Sequence, residues 1–277
     1  MTAPALERVL TEDEIAHYHE QGYVLVKGVL SAQECARYRQ LILDMLPRDL
    51  TIPAHWGVNA GRIKPYHEDK RQSFDTPELL PLLCNERLYS AAVQLLGDHR
   101  LRAFDASLGI TIRNDASRDS PLSQTPHLDC SVPAEVPFLF TPEEVQIGGC
   151  YYFTDVLPTG GGIHVVPGGH RWVQEQVRAA GGGMAGRQLH NSWKRVTDVE
   201  TVEVTGSAGD FALLHHLMPH AASHNRLPQA RVAQFTRYTR ADHPHYPQQP
   251  AEPGRWSPQQ VAAMSPLGRR LLGVDSW

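Results

Sequence analysis

Several side chains in this sequence have the types and spacing of a metal centre. The tightest group is His127-Leu128-Asp129. On extended backbone, residues i and i+2 share a face, so this imidazole and this carboxylate can grip one cation. A second histidine from a distant strand would complete a two-histidine, one-carboxylate facial set. Such a set leaves three positions of an octahedral metal open, the arrangement used by non-haem Fe(II) oxygenases. An HxD triplet alone is a weak signal in a chain with 15 histidines, where a hydrogen-bonded surface role is the ordinary alternative.

The segment Gly209–Arg226 carries four histidines, His215, His216, His220 and His224, and Arg231 then opens the β-prone run RVAQFTRY. A Gly-Asp turn, a strand, a short crossing and a second strand can set an imidazole and a guanidinium on neighbouring strands. A guanidinium displaced from the metal suits a cosubstrate with two carboxylates, one chelating the metal and one paired bidentately with arginine. A surface or salt-bridged role is the alternative for any such arginine. A third stretch, PTGGGIHVVPGGHR from Pro158, reads as a glycine turn, a strand and a second turn. It lacks the GKS or GKT ending of a phosphate loop. His164 and His170 within it are rival ligands, or pack and hydrogen-bond at strand ends.

The elements that must position these residues follow from local pattern. Thr11–Glu14 and Ser31–Glu34 have capping-box spacing, and each opens a helix. Gly22 ends the first helix before the strand Tyr23–Val26, and a third helix is expected over Glu86–Leu96 with Gly97 as its stop. After residue 100, short β-prone runs alternate with turn residues: Leu108–Ile112, Ile147–Phe153, Ile163–Val166, Val202–Val204, Phe211–Leu214 and Val232–Tyr238. Ala179–Asn191 and 242–255 read as irregular and mobile, and a final helix is expected around Pro258–Leu272. The order predicts an α+β chain with a mainly β core. It is expected to form one domain over 1–277: a mostly helical part to 100, a β core over 101–241 and a tail from 242 packed on it.

Composition narrows the function. The 277 residues are 41% hydrophobic and 20% charged, which excludes a disordered or coiled-coil chain. The net charge of -4 argues against a nucleic-acid partner. No run approaches a membrane span, no signal peptide is visible, and none of the four cysteines forms a CxxC pair. A cytoplasmic protein acting on a small molecule is expected. Its oligomeric state cannot be read from these features.

Taken together, LTEDEIAHYHEQGYVLVKGVLSAQE, the HLD triplet, YYFTDVLPTGGGIHVVPGGHR and GDFALLHHLMPHAASHNRLPQAR resemble, in order and spacing, the phytanoyl-CoA dioxygenase (PhyH-like) family of Fe(II)/2-oxoglutarate-dependent oxygenases. The resemblance implies a double-stranded β-helix (jelly roll). It implies Fe(II) on His127, Asp129 and His220, with Arg231 on the far carboxylate of 2-oxoglutarate and Arg113 also near the cosubstrate. O2 is the oxidant, and ascorbate an aid to activity. The chain departs from the family pattern at Ala222, where Ser or Thr is common. Ser223 or Gln124 could supply the missing hydrogen bond. It departs again at Pro126, where an aromatic is common, and at Cys150, where a tryptophan is. Asp129, which related halogenases replace with a small residue, favours hydroxylation, cyclisation, epimerisation or desaturation.

Substrate contacts are expected from Trp56, Arg62, Lys64 and Tyr66 and from His190, Asn191 and Trp193, at loops around the barrel mouth. The Ala/Arg/Gly-rich composition suits a high-GC bacterium, and by analogy a tailoring step in natural-product (antibiotic) biosynthesis. A zinc-dependent hydrolase on a β-barrel and a non-catalytic barrel binding protein are the alternatives.

Overall fold

The structure, a computed structural model, describes residues 6–46, 52, 61–65, 73–114, 120–129, 139–140, 146–181, 184–185, 193, 199–243 and 254–277. Helix α1 (Glu12–Gln21) opens on the expected capping box, with the Thr11 hydroxyl accepting from the Glu14 amide at 3.2 Å and the Glu14 carboxylate accepting from the Thr11 amide at 2.9 Å. It ends at Gly22, whose φ of 82° is the left-handed cap that glycine adopts without a Cβ penalty. Strand β1 (Tyr23–Val26) follows, then α2 (Ala32–Asp44) behind the Ser31–Glu34 capping box. Helices α3 (Leu80–Leu83) and α4 (Glu86–Leu96) come next, α4 capped by Asn85 and stopped at Gly97.

The rest is built on antiparallel strands. They are β2 (Arg62–Ile63), β3 (Leu101–Phe104), β4 (Leu108–Thr111), β5 (Leu139–Phe140), β6 (Gln146–Tyr152), β7 (Ile163–Val165), β8 (Met184–Ala185), β9 (Val202–Val204), β10 (Phe211–His215), β11 (His220–Ala222) and β12 (Arg231–Arg240). The major sheet runs β1-β10-β6-β12-β4-β2, with β3 also paired to β12. A three-stranded sheet β11-β7-β9 closes over it, giving the double-stranded β-helix. Alternation along β12 decides what each face sees. Val232 and Tyr238 join the apolar cluster that includes the helices, whereas Ala233 and Phe235 pack between the sheets. Arg231, Phe235 and Arg237 line the lumen.

β3 and β4 both pair with β12, interrupted by Asp105 and Ala106 at φ 74° and 100°. Left-handed backbone on two successive non-glycine residues is uncommon and kinks the strand. The turn expected at Pro167–Gly169 leads directly into a helix, α5 (Gly169–Ala179), because Gly168 takes φ 71° and its N-cap position. The single helix expected over Pro258–Leu272 is two, α6 (Pro258–Ala263) and α7 (Pro266–Leu271). Pro266 forces the break: its ring disfavours helical backbone at the preceding residue, and Ser265 is extended there and caps α7.

A histidine cluster packs between α1, α5 and β10. The His215 ring lies 4.9 Å from that of His170 and 4.7 Å from that of His216. Burial pushes His170 down to about 4 and His216 to about 3, and holds His215 well below the usual imidazole range. The folded protein therefore keeps these rings neutral, while the unfolded chain takes up protons near 6.5. Their stabilising contribution is complete above that value and declines as pH falls toward the folded-state values. Calorimetry should show the melting temperature dropping on the order of 5–10 °C between pH 7 and pH 5. A flat profile would mean that the cluster is solvated.

Candidate metal centre

The centre is made where an extended segment meets β11. His127 and His220 exchange both backbone hydrogen bonds, at 2.8 and 2.9 Å, and their rings lie 4.7 Å apart. Asp129 follows His127 by two positions and shares its face. Its Oδ1 is 3.5 Å from His127 Nε2 and its Oδ2 is 3.6 Å from His220 Nε2. One ligand atom from each residue lies within 4.8 Å of the other two. Donors at 2.0–2.2 Å from a shared ion stand roughly 3 Å apart when cis, so two imidazoles and a carboxylate gathered this way fit one divalent metal. Between them Leu128 points the other way into an apolar cluster with Val173, Val177 and Trp193. The Trp193 indole donates to the Pro126 carbonyl at 2.9 Å and meets Trp172 edge-on, fixing the segment that leads into the ligands.

A surrounding shell orients the three. His220 Nδ1 is 3.0 Å from the Met218 carbonyl, which fixes the proton there and leaves Nε2 free to ligate. The Gln124 side-chain Nε2 lies 3.3 Å from His127 Nδ1 and holds that ring from the cavity side. Arg237 Nη2 reaches Asp129 Oδ2 at 2.5 Å while its Nε reaches Asp105 Oδ2 at 3.2 Å. Burial opposes ionisation of Asp129, but Arg237, His220 and His127 outweigh it and hold the carboxyl well below the usual range. Burial likewise lowers His220, against the pull of Asp129. Asp129 is thus held as the carboxylate that metal binding requires.

The triad opens on a cavity of about 520 Å³, the size of a whole ligand site. Arg231 lines it, buried at 3% exposure. Its Nη2 donates to Thr111 Oγ1 at 3.0 Å, its Nε has no hydrogen-bond partner, and among the described residues it makes no ion pair with a carboxylate. A buried guanidinium without an anion is costly, so this is a position built for one.

Of the other residues singled out in the sequence, Gln124, Arg62 and Lys64 line the same cavity. Arg113 does not. It is exposed and bridges Asn225. Trp193 is buried behind the ligand segment rather than facing a substrate. Trp56, Tyr66, His190 and Asn191 lie outside the described residues. Ser223 Oγ donates to the Gly162 carbonyl at 2.6 Å and is already committed there. His164 pairs with Thr201, and His170 sits in the histidine cluster, so neither joins the centre. Sequence reasoning missed Arg237 and Asp105. The signal for Arg237 was its parity with Arg231 on one strand; Asp105, at a backbone kink, left none.

A family profile described as Phytanoyl-CoA dioxygenase (PhyH) matches residues 18–233. No curated protein matches the chain in sequence. Among solved structures, the non-heme alpha ketoglutarate dependent epimerase SnoN from nogalamycin biosynthesis, in complex with Fe3+, alpha ketoglutarate and nogalamycin RO, aligns at 22% identity and TM-score 0.57, over 89% of this chain and 91% of its own. The carbocyclase SnoK of the same biosynthesis aligns at 21% and 0.54, over 96% and 95%. HygX from Streptomyces hygroscopicus, with nickel, 2-oxoglutarate and hygromycin B bound, aligns at 14% and 0.56, over 86% and 90%. At these identities the likeness is one of fold. The family profile carries the assignment: spanning most of the sequence and all three triad residues, it shows that this chain belongs to the phytanoyl-CoA dioxygenase (PhyH) family of non-haem Fe(II)- and 2-oxoglutarate-dependent oxygenases.

Proposed function

We propose that His127, Asp129 and His220 hold Fe(II), that Arg231 binds the far carboxylate of 2-oxoglutarate, and that the enzyme oxidises a C–H bond of a small-molecule metabolite in natural-product biosynthesis. One observation carries this reading: a two-imidazole, one-carboxylate set shares a cavity with a buried arginine that lacks an anion. The solved relatives support it, since SnoN and HygX were each crystallised with a metal, the keto diacid and a natural product. Family membership favours the oxygenase over a zinc hydrolase or a non-catalytic barrel, neither of which needs a dicarboxylate clamp. When bound, iron and 2-oxoglutarate supply O2 activation coupled to decarboxylation of the keto acid to succinate.

The chain's own residues do the positioning. The Met218 carbonyl takes the Nδ1 proton of His220 and so turns its Nε2 lone pair toward the site, while Gln124 holds the His127 ring in place. Thr111 holds the Arg231 guanidinium in one orientation, so the diacid is received at both ends. Phe235, Ile163 and Ala222 supply the apolar wall that limits water around the reacting carbon. Arg237 ties Asp129 to Asp105 and so fixes the plane of the ligating carboxylate.

Replacing His220 with Ala should abolish Fe(II) binding and succinate release, while His216→Ala leaves both detectable. The opposite pattern would move the distal ligand. Arg231→Gln should raise the 2-oxoglutarate KM roughly 10- to 100-fold with iron still bound, the cost of losing a charge-assisted pair. An unchanged KM refutes the clamp. Arg237→Gln should weaken Ni(II) or Fe(II) affinity by roughly 10-fold or more in a metal titration, with the melting temperature near that of wild type. Unaltered affinity would reduce Arg237 to a surface pair.

A further inference from the structure

Gly148 stands in the middle of the major sheet, opposite Leu214 of β10 on one side and Arg237 of β12 on the other. Glycine is a poor choice for a strand interior, because it packs nothing and loses the most backbone freedom on ordering. The backbone does not call for it: unlike Gly22 and Gly168, Gly148 does not take a positive φ. Its neighbour Gly149 has a plain reason to be glycine. A Cβ there would lie 1.9 Å from the Ala212 carbonyl oxygen, so β6 and β10 could not pair. At Gly148 the obstacle is a single side chain. A Cβ would stand 2.9 Å from Cγ of Arg237, 3.5 Å from its Cδ and 3.7 Å from its Cβ. Alternation puts this contact on the lumen face, since Cys150 and Tyr152 pack between the sheets while Ile147 and Tyr151 join the cluster that includes the helices.

The contact falls on the part of the arginine that cannot step aside alone. Cγ is the first atom past Cβ, so relieving a 2.9 Å approach means turning the side chain about its first torsion. That turn swings the guanidinium, and the guanidinium is engaged at two points, Nη2 on Asp129 Oδ2 and Nε on Asp105 Oδ2. There is room for the swing. A cavity of about 40 Å³ adjoins the stem, bounded by Gly148, Leu214, His216, Arg237 and Asp129 itself. A side chain at position 148 would thus move the arginine away from the ligating carboxylate rather than open the sheet.

We infer that Gly148 is a positioning residue for the metal centre: its missing side chain is the notch that lets Arg237 reach Asp105 and Asp129 together and hold Asp129 in its ligating orientation. This rests on the reading of Asp129 as a metal ligand.

The test is a double-mutant cycle on the full chain. It is read by calorimetric titration with Ni(II), by 2-oxoglutarate affinity at saturating Ni(II), and by melting temperature. Gly148→Ala should weaken Ni(II) binding roughly tenfold, the loss expected when a ligand's outer support goes, while the 2-oxoglutarate Kd moves less than about threefold. In an Arg237→Ala background, where Cγ is gone, adding Gly148→Ala should change the Ni(II) Kd less than about twofold. Wild-type Ni(II) affinity in Gly148→Ala overturns the inference. So does an equal loss with and without Arg237, or a loss of 2-oxoglutarate affinity as large as that of Ni(II). If Gly148→Ala alone does not fold, the double variant decides. Recovered folding with the Ni(II) affinity of Arg237→Ala supports the notch, and any other behaviour refutes it. Failure of the parent reading looks different: His220→Ala would leave Ni(II) affinity unchanged, whereas the steric conflict would still show as a melting temperature lowered by Gly148→Ala and restored by Arg237→Ala.

Discussion

The site depends on one pair of backbone hydrogen bonds, between His127 and His220. They join two segments that the chain brings together across the whole β core, and they set both imidazoles side by side before any metal is considered. Because the pairing fixes register, it also fixes parity. Leu128 is committed to the apolar cluster against α5, so Asp129 must return to the lumen. A slip of one residue would bury the carboxylate among valines and offer leucine to the metal. Trp193 reinforces the same choice from behind, through its bond to the Pro126 carbonyl.

Around this clamp the protein places charge where water would otherwise be preferred. Arg231 is buried and Arg62 half-buried, each with its Nε unpaired, and Arg237 is satisfied only by sharing itself between two aspartates. A fold optimised for stability alone would replace such groups with hydrocarbon. Their presence on one face of the sheet that lines the lumen is therefore informative about what enters it. The histidines near α5 form a neutral packing layer whose cost appears only in acid.

Much of this was legible in the sequence because it rests on local rules. Capping boxes, glycine stops and period-two runs located α1, α2, α4 and most of the β core to within a few residues. The HxD triplet and the histidine followed by Arg231 were visible as spacing, and the family resemblance chose His220 among four candidates. What escaped was non-local. β2 is too short to show a period, β3 is buried at three successive positions and so shows no alternation, and the placement of Arg62 beside Arg231 depends on strand order rather than on any motif. Helix α5 was hidden behind glycines that read as a turn, and Pro266 split a helix whose apolar pattern ran through it.

The kink between β3 and β4 shows how closely backbone and charge are bound together here. Residue 105 must accept a left-handed conformation and also present a negative group to Arg237. Of the side chains that tolerate that conformation readily, aspartate alone is anionic. Asparagine would preserve the bend yet leave the guanidinium with Asp129 as its one carboxylate among the described residues, and glutamate would keep the charge but resist the bend. The freedom of this position to drift is therefore narrower than that of the triad's own neighbours, although it touches no metal.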